Sequence, residues 1–433
     1  MPLKKRTYSF DRNEVFDIIC FYMGQGDCSL IRCPDGTMIM IDCGSKADFP
    51  PAFLQIVARQ VRDPDWAGNN MCIDALILTH KDADHHSKVG LILGDTTTSD
   101  GKKTTKYAKL PVKQIYFSWS RSDTSPLGRY TANGLNKVVY SHYFATNELR
   151  EVTINSAKDS DNFYQRWTKA DDFKTVTPDP ATKQNKIPIG GRKLMLFQGV
   201  TPGGKVWSVS LIAGNVLKEN GIIADLGDDE NGNPFKDGAT EDNARSLVTL
   251  LEIGPKPMKA LFCGDSTFST EHFLTKYQSA YLSNAQFLLA PHHGSEWASS
   301  PPLVKAVKPV QVAVSAAYME HSHLHPRGRA LQRWHDKAGL DTSHPIDYWT
   351  TNSRDADDTL TDWKKRGLQV YTSDSGRFIW LATLPSANVN YAVKSRVGTL
   401  YRAEMQRKLR ETAFSIDPNN PTAPGQFLNY QIG

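Results

Sequence analysis

Several short apolar runs in this chain stop abruptly at histidine or aspartate. "CIDALILT" (72–79) runs straight into "HKDADHH", and "KALFCGD" (259–265) ends on Asp265. "AQFLLAPHHGS" (285–295) ends on His292 and His293, and "PVQVAVSAA" (309–317) is followed by "YMEHSHLHP", which carries His321 to His325. Continuous apolar runs of this length read as buried strands. In layered α/β folds the strand ends and the loops after them are where chemistry sits. A lone histidine is usually a satisfied structural group. Four strand ends that all carry His or Asp are hard to explain that way, and they point to convergence on one site.

The rest of the chain fits the same architecture. "FDIICFY" (16–22) and "TMIMIDC" (37–43) read as strands joined through the turn "CPDG", and "AFLQIVARQV" (52–61) reads as a helix. Strands resume at 193–200 and 246–253, and "LQVYTSDSGRFIWLATL" (368–384) reads as a closing hairpin. Residues 95–190 are polar and rich in Lys, Asp and Thr, so they read as an insertion or cap. The expected organisation is a hydrolase-type domain over 1–385 holding that insertion, then a C-terminal helical extension and tail over 386–433. No internal repeat is evident.

At 433 residues the chain can bury a large core. Its formal charge of +5 permits an anionic partner without demanding one. The six cysteines form no C-x-x-C pair and read as buried reduced thiols. No apolar h-region follows the basic start, and no apolar run is long enough to span a membrane. A cytoplasmic protein with no membrane partner is the expectation.

Several stretches together resemble the metallo-β-lactamase fold superfamily, and more narrowly the metallohydrolase domain of ComEC-type DNA-uptake proteins. They are "FYMGQGDCSLI", "MIMIDCG", "LTHKDADHHSKVG", "NARSLVTLL", "LFCGD", "LAPHHGS", "HLHP" and "VYTSDSGRFI", in the family's order over about 15–93 and 240–385. The resemblance implies an α/β (α+β) fold, an αββα sandwich. It also implies a dinuclear metal site drawn from His80, Asp82, Asp84, His85, Asp265, His292 and His293, with Asp265 as the bridging carboxylate. Asp84, His293 and His325 are then the candidates for catalysis, with His325 either a ligand or a proton donor to the leaving group. Asp42 would orient a ligand from behind. Asp27 would do the same, or would simply cap its own turn.

The residues themselves add a constraint on the ion. The wider superfamily has a histidine where Asp82 stands and another in mid-chain, whereas here only His142 lies between His86 and His272. Oxygen-rich sites favour harder ions, so two Mn²⁺ or two Zn²⁺ are both open. The expected function is metal-dependent phosphodiester hydrolysis by metal-bound hydroxide, with DNA as the leading substrate. Lys102, Lys103, Lys106, Lys109 and Lys113, interleaved with Tyr107 and Tyr116, are candidate nucleic-acid contacts, or a solvated loop. A nuclease in DNA processing or defence is the leading form, with a co-encoded protein as the candidate partner. The alternatives are a phosphodiesterase for a small or cyclic nucleotide, and a non-catalytic binding or scaffolding module on the same fold.

Overall fold

The computed structural model describes residues 12–21, 23, 26–45, 61, 72–89, 112–118, 193–214, 216, 218–229, 232–283, 285–309, 311–315, 325, 327, 330 and 333–334. It also describes the backbone of strands at 148–151, 162–165, 185–188, 347–350, 369–372, 379–382, 412–415 and 427–432. The helix expected at 52–61 falls outside the described residues except for buried Val61, as do the basic run before residue 412 and His321 and His323.

The chain begins with β1 (Phe16–Phe21), β2 (Ser29–Arg32), β3 (Met38–Ile41) and β4 (Ile73–Leu78). The short helix α1 (Ala83–His86) precedes β5 (Val112–Phe117), β6 (Glu148–Glu151), β7 (Asn162–Gln165) and β8 (Asn185–Pro188). Next come β9 (Leu194–Val200), β10 (Val206–Ala213), α2 (Glu241–Ala244), β11 (Val248–Ile253) and β12 (Met258–Phe262). Helices α3 (Phe268–Tyr277) and α4 (Ser279–Leu282) lead to β13 (Ala285–Leu289), α5 (Pro301–Val307) and β14 (Gln311–Val314). The remaining strands are β15 (Asp347–Thr350), β16 (Gln369–Thr372), β17 (Ile379–Ala382), β18 (Thr412–Ser415) and β19 (Phe427–Ile432).

Two large mixed sheets result. One has the order β18-β19-β1-β2-β3-β4-β5-β6, the other β16-β17-β15-β14-β13-β12-β11-β10-β9, and β7 and β8 pair apart. The two large sheets share one core. Phe16, Ile18, Ile39 and Ile77 of the first meet Trp207, Leu211, Leu250 and Phe262 of the second, and Phe16 packs edge-on against Trp207 at 5.7 Å. Phe273, Leu274, Leu282, Leu303 and Val304 of α3, α4 and α5 join this core from the second sheet's side.

Two spans hold strands that the sequence reading did not place. The span read as an insertion contains β5, which pairs in parallel with β4 and carries Tyr116 of the main core. The Pro/Asn-rich tail beyond the span read as helical supplies β19, which pairs antiparallel along all of β1, from Phe16 opposite Ile432 to Phe21 opposite Phe427.

A buried carboxyl ties the loop after β13 to the helical layer. Glu271 of α3 accepts hydrogen bonds from the backbone amides of Ser299 (2.5 Å) and Ser300 (2.6 Å). Arg333 donates to the carbonyls of Glu296 and Ala298 in the same loop. Burial raises the Glu271 carboxyl to about 7, although hydrogen bonds from Ser300 and Ser299 pull the other way. The native state therefore keeps a proton that the unfolded state, titrating near its ordinary value, has lost. Stability conferred by Glu271 is present below that ordinary value and is lost as pH rises through about 7. The slope reaches at most about 1.4 kcal/mol per pH unit. Urea unfolding at pH 5 to 7.5 should show this slope in wild type and a flatter one in Glu271→Gln; parallel curves would contradict it.

Candidate metal centre

The site forms where the ends of β3, β4, β12 and β13 meet, and glycine makes the approach possible. After β3 the chain turns through Asp42, whose φ of 56° lies in the left-handed region. Gly44 then lies flat against α1, where an added Cβ would sit 2.2 Å from the Asp84 carbonyl carbon and the His85 nitrogen. Backbone hydrogen bonds lock this contact: Asp27 N to Asp84 O (3.0 Å), Cys43 N to His85 O (2.8 Å) and Gly44 N to Asp27 O (3.0 Å). The turns carrying Asp27 and Asp42 are thus fastened to the helix carrying Asp84 and His85.

Asp42 is fully buried and fixes the β4 end. Its Oδ1 accepts from the Thr79 amide (2.8 Å), and its Oδ2 from the Thr79 hydroxyl (2.7 Å) and His85 Nδ1 (2.8 Å). With Nδ1 so engaged, His85 turns Nε2 to Asp265 Oδ1 at 3.1 Å. His293 is arranged alike: Nδ1 donates to the Ser315 carbonyl (2.8 Å), and Nε2 lies 3.2 Å from Asp265 Oδ1. A carboxylate or carbonyl behind an imidazole is the usual way of presenting the other nitrogen to a metal.

The other carboxylate oxygen faces a different pair. His80 Nε2 and His292 Nε2 each lie 3.7 Å from Asp265 Oδ2. His292 and His293 can face different sides because both adopt left-handed backbone conformations, with φ near 51° and 52°. Such residues cost roughly 1–2 kcal/mol each, and local hydrogen bonds hold them, His292 N to Gly264 O (2.8 Å) and Ser295 N to His292 O (2.7 Å). Gly264 itself has φ of 52°, and an added Cβ there would meet the Thr79 side chain at 2.6 Å.

The remaining expected residues take varied places. Asp84 Oδ2 is 3.9 Å from His293 Nε2 and groups with His85 and His293. Asp27 lies behind the rings, its carboxylate oxygens 3.7 Å from His293 Nδ1 and 4.0 Å from His85 Nδ1. Asp82 stands at the rim, one-third exposed and 3.5 Å from His80 Nε2. His325 is buried and stacks near His293, with centroids 6.3 Å apart, outside the tightest donor groups. Lys113 is paired with Asp74 at 2.6 Å. Lys102, Lys103, Lys106 and Lys109 lie outside the described residues.

Three polar residues come to light only in the structure. The Asn243 carboxamide nitrogen is 2.9 Å from His292 Nε2. Ser246 accepts from the Asp265 amide (3.0 Å) and lies 3.3 Å from His80 Nδ1. Thr79 holds Asp42 as above. Asn243 and Ser246 stand in "NARSLVTLL", so the sequence marked the motif without showing what its side chains reach.

The donor set suits divalent cations. His80, His85 and Asp265 cluster within 4.8 Å, as do Asp84, His85 and His293. His80 Nε2 and Asp265 Oδ1 are buried and have no hydrogen-bond partner among the described residues. Burial raises the Asp265 carboxyl, but the nearby His293, His85 and His292 outweigh it and hold it well below the usual range. Burial lowers His85, but Asp265 and Asp42 outweigh it and hold it well above. Burial pushes His292 down to about 4, so its ring is neutral.

Comparison with known proteins fits this geometry. Residues 22–143 match the family model described as "Metallo-beta-lactamase superfamily". That match takes in the Asp27, Asp42 and His80–His85 segments. No curated protein matches the chain. Among solved structures, human tRNase Z, short form, aligns over 70% of this chain and 92% of its own, at 12% identity and a TM-score of 0.32. So loose a likeness carries no functional argument.

Two outcomes follow. Asp265→Ala should keep the fold and lose the capacity for two divalent ions per chain, read by elemental analysis after loading with Mn²⁺ or Zn²⁺; an unchanged ion count would refute Asp265 as their shared ligand. Gly44→Ala should lower stability by about 1–3 kcal/mol or more through overpacking and weaken metal binding together with it. Unchanged melting and ion content would show that the Gly44 contact is not needed.

Proposed function

We propose that the protein is a metal-dependent phosphodiester hydrolase, with DNA as its substrate, of the ComEC-type branch of the metallo-β-lactamase superfamily. One observation carries the reading: the two oxygens of Asp265 each face their own pair of histidines, His85 and His293 at Oδ1, His80 and His292 at Oδ2. A carboxylate shared in this way suits a two-ion centre. Two divalent ions would supply Lewis acidity toward a phosphoryl oxygen and activate water for in-line displacement.

The chain's own residues set up that chemistry. Asp42 and the Ser315 carbonyl orient His85 and His293. Asp84 and Asp82 add oxygen donors, which favours harder ions such as Mn²⁺ alongside Zn²⁺. His325, buried over the His292–His293 pair, is the candidate to protonate a leaving oxygen. The basic residues of 102–109 would track a phosphate backbone. Lys113 has part of its charge met by Asp74.

Among the described residues no helix is long and apolar enough to cross a membrane. A cytoplasmic nuclease in DNA processing or defence is the setting we infer from the sequence.

Metal-loaded protein should cleave single-stranded or duplex DNA in preference to cyclic nucleotides. Binding should weaken with salt at a log–log slope of about −0.7 per neutralised phosphate on a single strand. Lys102, Lys103 and Lys106 changed together to Ala should flatten that slope by about two units. Cleavage of cyclic nucleotides alone, with superimposable salt titrations, would move the assignment to a small-molecule phosphodiesterase.

A further inference from the structure

The two sides of Asp265 are prepared differently. At Oδ1, His85 and His293 each commit Nδ1 to a protein oxygen at 2.8 Å, which leaves Nε2 aimed at the carboxylate. At Oδ2, His292 has no such support. Its Nδ1 is buried without a hydrogen-bond partner among the described residues, and its Nε2 is met by Asn243 at 2.9 Å.

The orientation of Asn243 is fixed by its neighbour. The Thr240 hydroxyl donates to Asn243 Oδ1 at 2.5 Å and accepts the Asn243 backbone amide at 3.2 Å, capping α2. With the oxygen end of the carboxamide taken, its nitrogen end faces His292. A carboxamide nitrogen donates and does not accept, so His292 Nε2 must accept with its lone pair. A coordinate bond needs that same lone pair.

Resting on the two-ion reading above, we propose that the centre loads unequally: the Oδ1 side is set for an ion beforehand, whereas the Oδ2 side is latched by Asn243. Asn243 is a positioning residue in this account. It holds His292 in place in the metal-free protein and must release Nε2 before His292 can act as a ligand. The Oδ2 ion is then the weaker and more exchangeable of the two.

Calorimetric titration of metal-free protein with Mn²⁺ tests this. Wild type should show two classes of site. Asn243→Leu, which keeps the volume and removes the donor, should tighten only the weaker class, by about fivefold for one neutral hydrogen bond. Asn243→Ala should shift it in the same direction, and His292→Ala should abolish the weaker class and spare the tighter one. Two equal classes in wild type, a weaker class that is unchanged or loosened in Asn243→Leu, or loss of the tighter class in His292→Ala would each overturn the latch.

Should the Asn243 variants not fold, ¹⁵N spectra of metal-free wild type decide the matter. His292 protonated on Nδ1 with an accepting Nε2 supports the latch, and a proton on Nε2 overturns it. Failure of the two-ion reading itself looks different: wild type and Asp265→Ala would then bind the same number of ions.

Discussion

Four carboxylates and three imidazoles, those of Asp27, Asp42, Asp84, Asp265, His80, His85 and His293, lie almost wholly out of water in one small volume. Burying charge is costly unless each group is paired and hydrogen-bonded. In the metal-free protein the rings and carboxyls must settle this among themselves, which is why His85 is driven to hold a proton and Asp265 to lose one. A set of groups this dense in donor atoms is costly for a merely structural core. It is what a cation site requires, with the cation replacing protons.

Meeting that constraint dictates the backbone around it. Asp42, His292 and His293 all adopt left-handed conformations, which only a surrounding that over-determines them will sustain. That surrounding includes clasps between the two sheets: Leu247 N to Thr79 O (2.9 Å), the Ser315 hydroxyl to Gly26 O (2.6 Å), and the Asp265 amide to Ser246, which in turn lies beside His80. The first two run between a loop of one sheet and a loop of the other at the edge where the site lies; the third joins two loops of the second sheet and reaches the first through His80.

The strands that end in His or Asp were legible because each is a short apolar run cut off by polar residues, a signal local to a few positions. The family resemblance implied that Asp42 orients some ligand; that its partner is His85, at direct hydrogen-bond distance, is visible only in the structure. Assigning His292 and His293 to different sides was not legible, because it depends on two consecutive left-handed residues, which no side-chain pattern announces. Asn243 and Thr79 were opaque for a related reason: a small polar side chain acquires a role only from what tertiary structure puts within 3 Å of it. β19 was missed because its partner β1 stands at the far end of the chain, and "QFLNYQI" amid Pro and Asn carries little strand signal of its own. β5 was hidden by the polar sequence on either side of it.

The division of donors between the sheets gives the site a second consequence. The first sheet and its loops contribute His80, Asp82, Asp84 and His85; the second contributes Asp265, His292 and His293. Neither sheet alone holds a complete set, and Asp265 reaches His80 and His85 only while the sandwich is closed. Ions bound between the sheets therefore favour the closed sandwich by their binding free energy, since the unfolded chain offers the same groups unassembled. The interface that buries the core and the interface that binds the ions are one surface seen at its middle and at its rim. A change that loosens the packing of Phe16 on Trp207 and a change that removes a ligand should therefore act on the same equilibrium.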